Sequence, residues 1–474
     1  MEESSNSGGE WLSPAARLFH APSFNCHIIA IIGCRTTMDP NSIKLGLNQS
    51  LIHHPRFSSK LVENGRKMKW IPTPVNLENH IITPNLDQQM ESPTQFIENY
   101  ISHLTTIPMD MSKPLWELHI LNLKTTESES IGIFKIHHSM GDGASLMSLL
   151  LACTRKTCDP QSLPTVPVQK RASDSGFSGG GFWWVFLVIW RMLRLVLNTL
   201  VDLVLFVSTI VFLRDSETCL KGGYGKKVEM KKGKRFVYCS VSLDDVKLIK
   251  THMDITINDV ILGVTQAGLS RYLNRESGEN NKKKRVRATV LVNLRPAPGI
   301  QKLAELMDKK EKKGKWGWGN RIAYVVVPFN VELQKDPLDY IRKAKVSIDR
   351  KKLSLEPFCT FALAEFLIFT FGVKVASIIA NRFLSNTTLA FSNVVGPIEK
   401  ISFYGHPISF LAPSVYGHPH ALTIHFQSYA KKMTIVVAVD PDIILHPHKL
   451  LEDFEESLLL IRDSIKYKEP LDAA

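Results

Sequence analysis

A chain of 474 residues with 44% hydrophobic side chains is long enough for two domains of ordinary size, each with its own core. The formal net charge of +13 is gathered in runs such as Lys282 to Arg287 and Lys309 to Lys315, which suit phosphate groups or anionic lipid headgroups; no nucleic-acid-binding motif accompanies them, so nucleic acid is not expected. The 7 cysteines are odd in number and lack a CxxC spacing, which argues against a disulfide framework or zinc site and for a reducing compartment.

The polar N-terminus has no signal-peptide core, and the C-terminal residues carry no lipidation signal. From about residue 12 to 158, strand-like and helix-like segments alternate. Cys26 to Cys34 reads as a buried strand, Pro40 to His54 as a helix ended by Pro55, Met68 to Pro72 as a short strand, and Thr94 to Leu104 as a helix. Gly132 to Ile136 reads as a strand and Ala144 to Cys153 as a helix. Between them stands His137-His138-Ser139-Met140-Gly141-Asp142-Gly143, so the histidine pair falls where a strand ends and a helix begins. Neighbouring strand residues point to opposite faces, so one imidazole alone can face a given cleft and the other must be packed or hydrogen-bonded elsewhere. Asp142 sits at a helix N-cap and Gly143 permits a tight turn. His53-His54 lacks a following Asp-Gly and reads as an ordinary pair.

Residues 159–181 are rich in Pro, Ser and Gly and read as a linker. Ser178 lies there in a GxSxG match. A nucleophile elbow needs a strand before the serine, and KRASDS is not one, so the match is read as accidental. Phe182 to Leu213 is a long apolar stretch interrupted by Arg191, Arg194, Asn198, Asp202 and Thr209. At about 100° per residue these fall on one stripe of a helix. Three readings compete: an interfacial helix, a spanning helix with a protected stripe, and a buried core helix, the first being favoured.

From about residue 235 a second α/β region begins. Ser242 to His252 and Asn258 to Tyr272 read as helices, Arg285 to Leu294 and Arg321 to Pro328 as strands, and Pro337 to Lys352 as a basic helix. Thr360 to Phe383 is a second apolar helix with Glu365 and Lys374 in it; Ala390 to Val395 and Met433 to Val439 read as strands and Lys449 to Lys466 as the closing helix. The expected organisation is an N-terminal domain 1–158, the linker 159–181, an apolar helix with a basic connector 182–234, and a C-terminal domain 235–474.

HHSMGDG resembles the HHxxxDG motif of the acyl-CoA-dependent acyltransferase superfamily, which includes chloramphenicol acetyltransferase and the condensation domains of peptide synthetases. Further segments resemble the plant-type wax ester synthase/diacylglycerol acyltransferases. They are Pro114-Leu115-Trp116-Glu117, Asn258-Asp259-Val260-Ile261-Leu262, Asn293-Leu294-Arg295-Pro296, Trp318-Gly319-Asn320 and Ser392-Asn393-Val394-Val395-Gly396-Pro397. The resemblance runs from about 12 to 465. It implies an α/β fold of two chloramphenicol-acetyltransferase-like domains, each a mixed sheet flanked by helices, with a cleft and tunnel between them. The DFGWG segment of small-molecule plant acyltransferases is missing, which points toward lipid substrates.

By that resemblance His138 is the general base for attack of an alcohol on an acyl-CoA thioester, with no acyl-enzyme. His137 supports the site. Asp142 points away from the cleft and pairs with an arginine of the second domain, for which Arg295 is the candidate. Gly143 lets the backbone approach closely, and Trp116 packs beneath the site. Asn258 is a possible oxyanion donor, or an N-cap of the helix that follows it. No cofactor is expected, since coenzyme A enters as substrate. His418, His420 and His425 are not expected to hold a metal, having no acidic partner nearby. The implied partners are acyl-CoA, a long-chain alcohol or diacylglycerol, and a membrane surface. The expected location is the cytosolic face of the endoplasmic reticulum membrane, with the plasma membrane second. A soluble acyltransferase for small alcohols or amines, a silent lipid-binding protein and a hydrolase using Ser178 are the competing readings.

Overall fold

A computed structural model of the chain describes residues 9–65, 67–87, 89–167, 182–221, 233–277, 284–295, 304–305 and 318–466. Ser178 with its GxSxG match, Pro296 and most of the lysine runs lie outside the described residues.

Two large mixed sheets carry the fold. The first has seven strands in the order Ile81–Ile82, Trp116–Leu121, Ser130–His137, His27–Cys34, His406–Tyr416, Ile401–Phe403, Thr154–Lys156. The second has six in the order Ile322–Phe329, Val286–Asn293, Leu389–Val394, Leu422–Tyr429, Lys432–Val439, Arg235–Ser242. A separate three-stranded sheet joins Glu10–Trp11, Lys67–Pro72 and Ser59–Asn64. The second sheet packs Val237, Ile424, Phe426 and Ile435 against Ile257–Ser277 and Pro447–Lys466, helices that supply Val260, Leu269, Phe454 and Ile461. Its other face meets the first sheet, where Ile29, Ile31 and Phe410 pack with Phe236, Val436 and Ala438. The two lobes therefore share a buried apolar interface, which keeps water out of what lies between them.

The domain limits expected from sequence do not coincide with the sheets. Residues 401–416, assigned above to the C-terminal domain, enter the first sheet, where Leu411 to Tyr416 pair antiparallel with Ile32 to His27. The C-terminal lobe thus hands a strand to its neighbour and ties the two together. Pro407 and Pro413 interrupt this strand and hide it from pattern reading. Pro413 is tolerated because the neighbouring Ile401–Phe403 pairs only with His406 and Pro407, leaving the outer edge from Ile408 onward without a strand partner among the described residues.

The helix expected over Pro40 to His54 ends at Gln49, and Leu51–His53 forms a 3-10 turn. The first apolar helix runs Phe182–Val211. The C-terminal part of its polar stripe faces the C-terminal lobe, while Arg191 and Arg194 are exposed. Asn198 donates to Leu353 O at 3.0 Å, Asp202 pairs with Arg350 and Lys351, and Thr209 Oγ1 accepts from Arg287 Nη1 at 2.5 Å. The opposite face is exposed apolar surface, and Trp183, Trp184 and Trp190 at the N-terminal end are exposed too. The second apolar helix, Glu356–Ser385, is broken at Gly372, whose φ of 81° is open to glycine and costly for other residues. Both helices have the length and composition to cross a membrane. Strands before and after the second one, Ile322–Phe329 and Leu389–Val394, belong to one sheet, and the lobes on either side of the first are packed together. A single crossing by either helix would divide these units.

Candidate active site

Ser130–His137 is an inner strand of the first sheet, paired with His27–Cys34 on one side and Trp116–Leu121 on the other. It ends in a 3-10 turn, His138–Met140, from which the chain enters the helix Gly143–Cys153. The turn sends the two imidazoles different ways. His137 is buried in the N-terminal lobe: its Nδ1 accepts from Ser139 N at 3.2 Å, and its Nε2 meets Asn25 Oδ1 at 3.0 Å. His20 stacks on it with centroids 4.0 Å apart. Burial holds His137 well below the ordinary imidazole value.

His138 is 5% exposed and faces the other lobe. Its Nδ1 lies 3.0 Å from Asn320 Oδ1, while Asn320 Nδ2 donates to the His138 carbonyl at 3.0 Å. A carbonyl only accepts, so the Asn320 amide can face His138 in one orientation alone. Its oxygen then meets Nδ1, the proton sits on Nδ1, and the Nε2 lone pair is left without a partner among the described residues. Burial depresses the pKa of His138 below the usual imidazole range, so the ring is neutral at pH 7. A neutral imidazole with one nitrogen committed and the other open can take a proton.

Asp142 points away from His138. Oδ1 caps the helix through Ser145 N at 3.0 Å, and Oδ2 accepts from Arg295 Nη1 at 2.7 Å and Arg321 N at 2.8 Å. Arg295 Nη2 also donates to Gly319 O at 2.6 Å and Ser145 Oγ at 3.0 Å. The turn of one lobe is thereby clamped to two segments of the other by charge-assisted hydrogen bonds. Gly143 meets the second lobe closely as well: a Cβ there would lie 3.3 Å from Val394 Cγ2.

Trp116 is fully buried, donates Nε1–H to Phe57 O at 3.0 Å and stacks on His80. Trp318 donates to Met140 O at 2.7 Å and rests on His54, centroids 4.0 Å apart. His54, half-buried, thus forms a wall beside the site, while His53 faces solvent. Among the described residues Asn258 makes no hydrogen bond to this cluster. It is exposed in the first turn of Ile257–Ser277, and its Oδ1 accepts from Asn393 Nδ2 at 2.7 Å. It is not the cap of its helix; Thr256 and Asp259 form the reciprocal capping pair, with Thr256 N donating to Asp259 Oδ2 at 2.9 Å and Asp259 N to Thr256 Oγ1 at 3.3 Å. His418 and His420 bond to Thr423 Oγ1 and Thr387 Oγ1.

The residue that sequence reasoning passed over is Asn320. In sequence it is the last residue of Trp318-Gly319-Asn320 and carries no role of its own. Its distance in sequence from His138, 182 positions, leaves no local pattern to connect them.

Residues 44–261 match the wax ester synthase/diacylglycerol acyltransferase catalytic domain, and residues 318–462 the C-terminal domain of the same family. The chain is 51% identical over 478 residues to wax ester synthase/diacylglycerol acyltransferase 5 of Arabidopsis thaliana, covering 95% of this chain and 93% of that one. In fold it is similar to the wax ester synthase/diacylglycerol acyltransferase of Marinobacter aquaeolei, with a TM-score of 0.62 at 16% identity over 96% of this chain and 100% of that one. It is similar also to the first condensation domain of the calcium-dependent antibiotic synthetase, with a TM-score of 0.58 at 12% identity over 97% of both. The architecture is that of the two-domain chloramphenicol-acetyltransferase-like fold, and the chain belongs to the wax ester synthase/diacylglycerol acyltransferase family.

Proposed function

We propose that the protein is an acyl-CoA-dependent O-acyltransferase that esterifies long-chain alcohols to wax esters and, as a second activity, diacylglycerol to triacylglycerol. The names of its relatives at about half identity support this substrate pair. The observation that carries the chemistry is the open Nε2 of a neutral, buried His138 whose other nitrogen is held by Asn320.

In the reaction, His138 Nε2 takes the proton of the acceptor hydroxyl as its oxygen attacks the thioester carbonyl. The C–O bond forms, the C–S bond breaks, and the imidazolium returns the proton to the coenzyme A sulfur. The thiolate is a good leaving group, so Ser139 need not act as nucleophile. Asn258, oriented by Asn393, is the candidate donor to the oxyanion. His137, Asp142, Gly143, Arg295 and Trp116 hold the site together. No cofactor takes part, since coenzyme A enters as the acyl carrier.

Long-chain alcohols and diacylglycerol dissolve in membranes. The exposed apolar faces of the two long helices support contact with a membrane; the location proposed is the cytosolic face of the endoplasmic reticulum membrane, with the plasma membrane second, and the role cuticular wax formation.

The test is purified protein with labelled acyl-CoA, offered hexadecanol and diacylglycerol side by side. Wax ester should form, and His138→Ala should lower the rate on the order of 10²- to 10⁴-fold. Esterification of small soluble alcohols in preference to both lipids, or no ester at all, would overturn the reading.

A further inference from the structure

The short helix Pro14–Leu18 and the loop after it stand between His138 and the apolar helices. Phe19, which caps that helix, lays its ring on the His138 imidazole with centroids 4.2 Å apart and planes inclined by 27°. On its other side Phe19 belongs to a buried apolar cluster with Phe24, Phe383 and Leu384, and Phe206 and Val373 pack against it. Phe206 and Phe383 meet at 4.6 Å, and Arg382 bonds to the carbonyls of Ile210 and Val211 at 2.6 and 2.8 Å, so the two apolar helices join here. Asn381 ties the same junction to Ser23 O at 2.9 Å. Apolar contact therefore runs from the His138 ring to the junction of the two helices.

The outer faces of both helices are exposed: Val204 and Val207 on the first helix, Phe369 and Phe371 on the second, with Phe369 89% exposed. The C-terminal part of the first helix's polar stripe is already taken up by the C-terminal lobe. What remains outward is mainly hydrocarbon, with the exposed charges Arg191, Arg194, Glu365 and Lys374 beside it, three cations to one anion. A bilayer satisfies both features, its acyl chains meeting the apolar faces and its anionic headgroups the cations.

We propose that the long-chain acceptor reaches His138 sideways from the bilayer, between the segment Pro14 to Phe24 and the junction of the two apolar helices, and that Phe19 admits it. This rests on the reading that the acceptor is a membrane-dissolved alcohol. As the structure stands, Phe19 occupies the end of that path, and its ring must move for a hydroxyl to reach the open nitrogen. Gly372 breaks the second helix next to Val373, in space where a Cβ would meet nothing within 4 Å, so the junction has a joint at the proposed entrance.

Two measurements on the full-length protein decide this. First, phosphatidylcholine vesicles containing hexadecanol with a terminal diazirine are mixed with the protein and irradiated, and the labelled peptides are mapped by mass spectrometry. Adducts should fall in residues 14–24 and in the segments around Phe206 and Phe383. Adducts only elsewhere overturn the proposal. This readout needs no turnover, so it reports on the route even if the protein esterifies nothing, an outcome that would sink the proposed function instead.

Second, Phe19→Trp and the milder Phe19→Leu are compared using hexadecanol in vesicles and hexanol in water. The bulkier Phe19→Trp should lower kcat/KM for hexadecanol about tenfold or more while hexanol and the acyl-CoA KM move less than about twofold, and Phe19→Leu should stay near wild type. An equal loss for both alcohols would mean that Phe19 merely supports His138, and the proposal would fall.

Discussion

Asn320 holds His138 at two points at once, ring and carbonyl, from the opposite lobe. The second bond fixes the meaning of the first. Because the carbonyl needs a donor, the amide oxygen is committed to Nδ1, and the reactive tautomer follows from geometry rather than from a carboxylate. The familiar arrangement of acid, imidazole and nucleophile is absent here: Asp142, the acidic group of the motif, is spent on the lobe interface.

Asn320→Leu should therefore lower kcat on the order of 10²-fold with little change in the KM for acyl-CoA, since the tautomer is released while the substrate path is kept. Asn320→Asp tests the same bond by charge. A carboxylate beside the ring favours the imidazolium and raises its pKa. The acid limb of the kcat/KM profile should move to higher pH than in wild type, whose depressed His138 keeps the base form at neutral pH. An unmoved limb in the aspartate variant would show that Asn320 does not control the titration of His138.

Breaking the Asp142–Arg295 pair should cost stability first. Both side chains are buried, and Arg295→Ala removes one of three donors from a carboxylate that cannot reach water. The expected loss is roughly 3–5 kcal/mol, read from urea unfolding. Asp142→Ala should lose a similar amount, and the double variant should lose less than the sum, because each single change strands the other's charge. Additive losses would mean that the two residues do not act as a pair.

The strand, turn and helix around the histidines were legible because each rests on a local signal: a run of apolar residues, a glycine, and an aspartate at the cap. The rest required information that no window of sequence holds. His406–Tyr416 carries two prolines and reads as a loop until its open edge is seen. Trp116–Leu121 is buried along nearly all its length, which erases the alternation that marks a half-buried strand. Asn258 stands out through the segment it begins, whereas Asn320 acts on His138 through a lobe interface that forms only on folding.

Acid should unfold the protein from a defined point. His27, His418 and His425 are buried and His20 and His54 half-buried, and loss of water around them lowers His20, His27, His54, His418 and His425 to about 4, 3, 3, 3 and 4 from an ordinary value of 6.5. Between those limits the unfolded chain binds more protons than the folded one, so stability rises with pH in this window. It is fully present above about 6.5 and drains away below it, at about 1.4 kcal/mol per pH unit for each such imidazole. Thermal midpoints measured from pH 7.5 to 5 should fall progressively below pH 6.5. A flat profile would show that these rings are not buried neutral.

Asn386-Thr387-Thr388 is a glycosylation sequon and gives a test of topology. Asn386 is 5% exposed and donates Nδ2–H to Thr209 O at 2.7 Å, while its own carbonyl accepts from Arg287 Nη2 at 3.0 Å. The side chain that would carry a sugar is thus the peg that fastens the end of the first apolar helix to the sheet. Protein expressed in a secretory-competent cell should show no mobility change on glycosidase treatment, because a segment kept on the cytosolic face never meets the lumenal transferase. Asn386→Ala should cost about 1–3 kcal/mol, as it leaves the Thr209 carbonyl without this donor in a buried place. It should also raise the rate at which protease cuts the helix Phe182–Val211. A glycan at Asn386 in active enzyme would contradict this packing and the placement of both lobes on one side of the membrane.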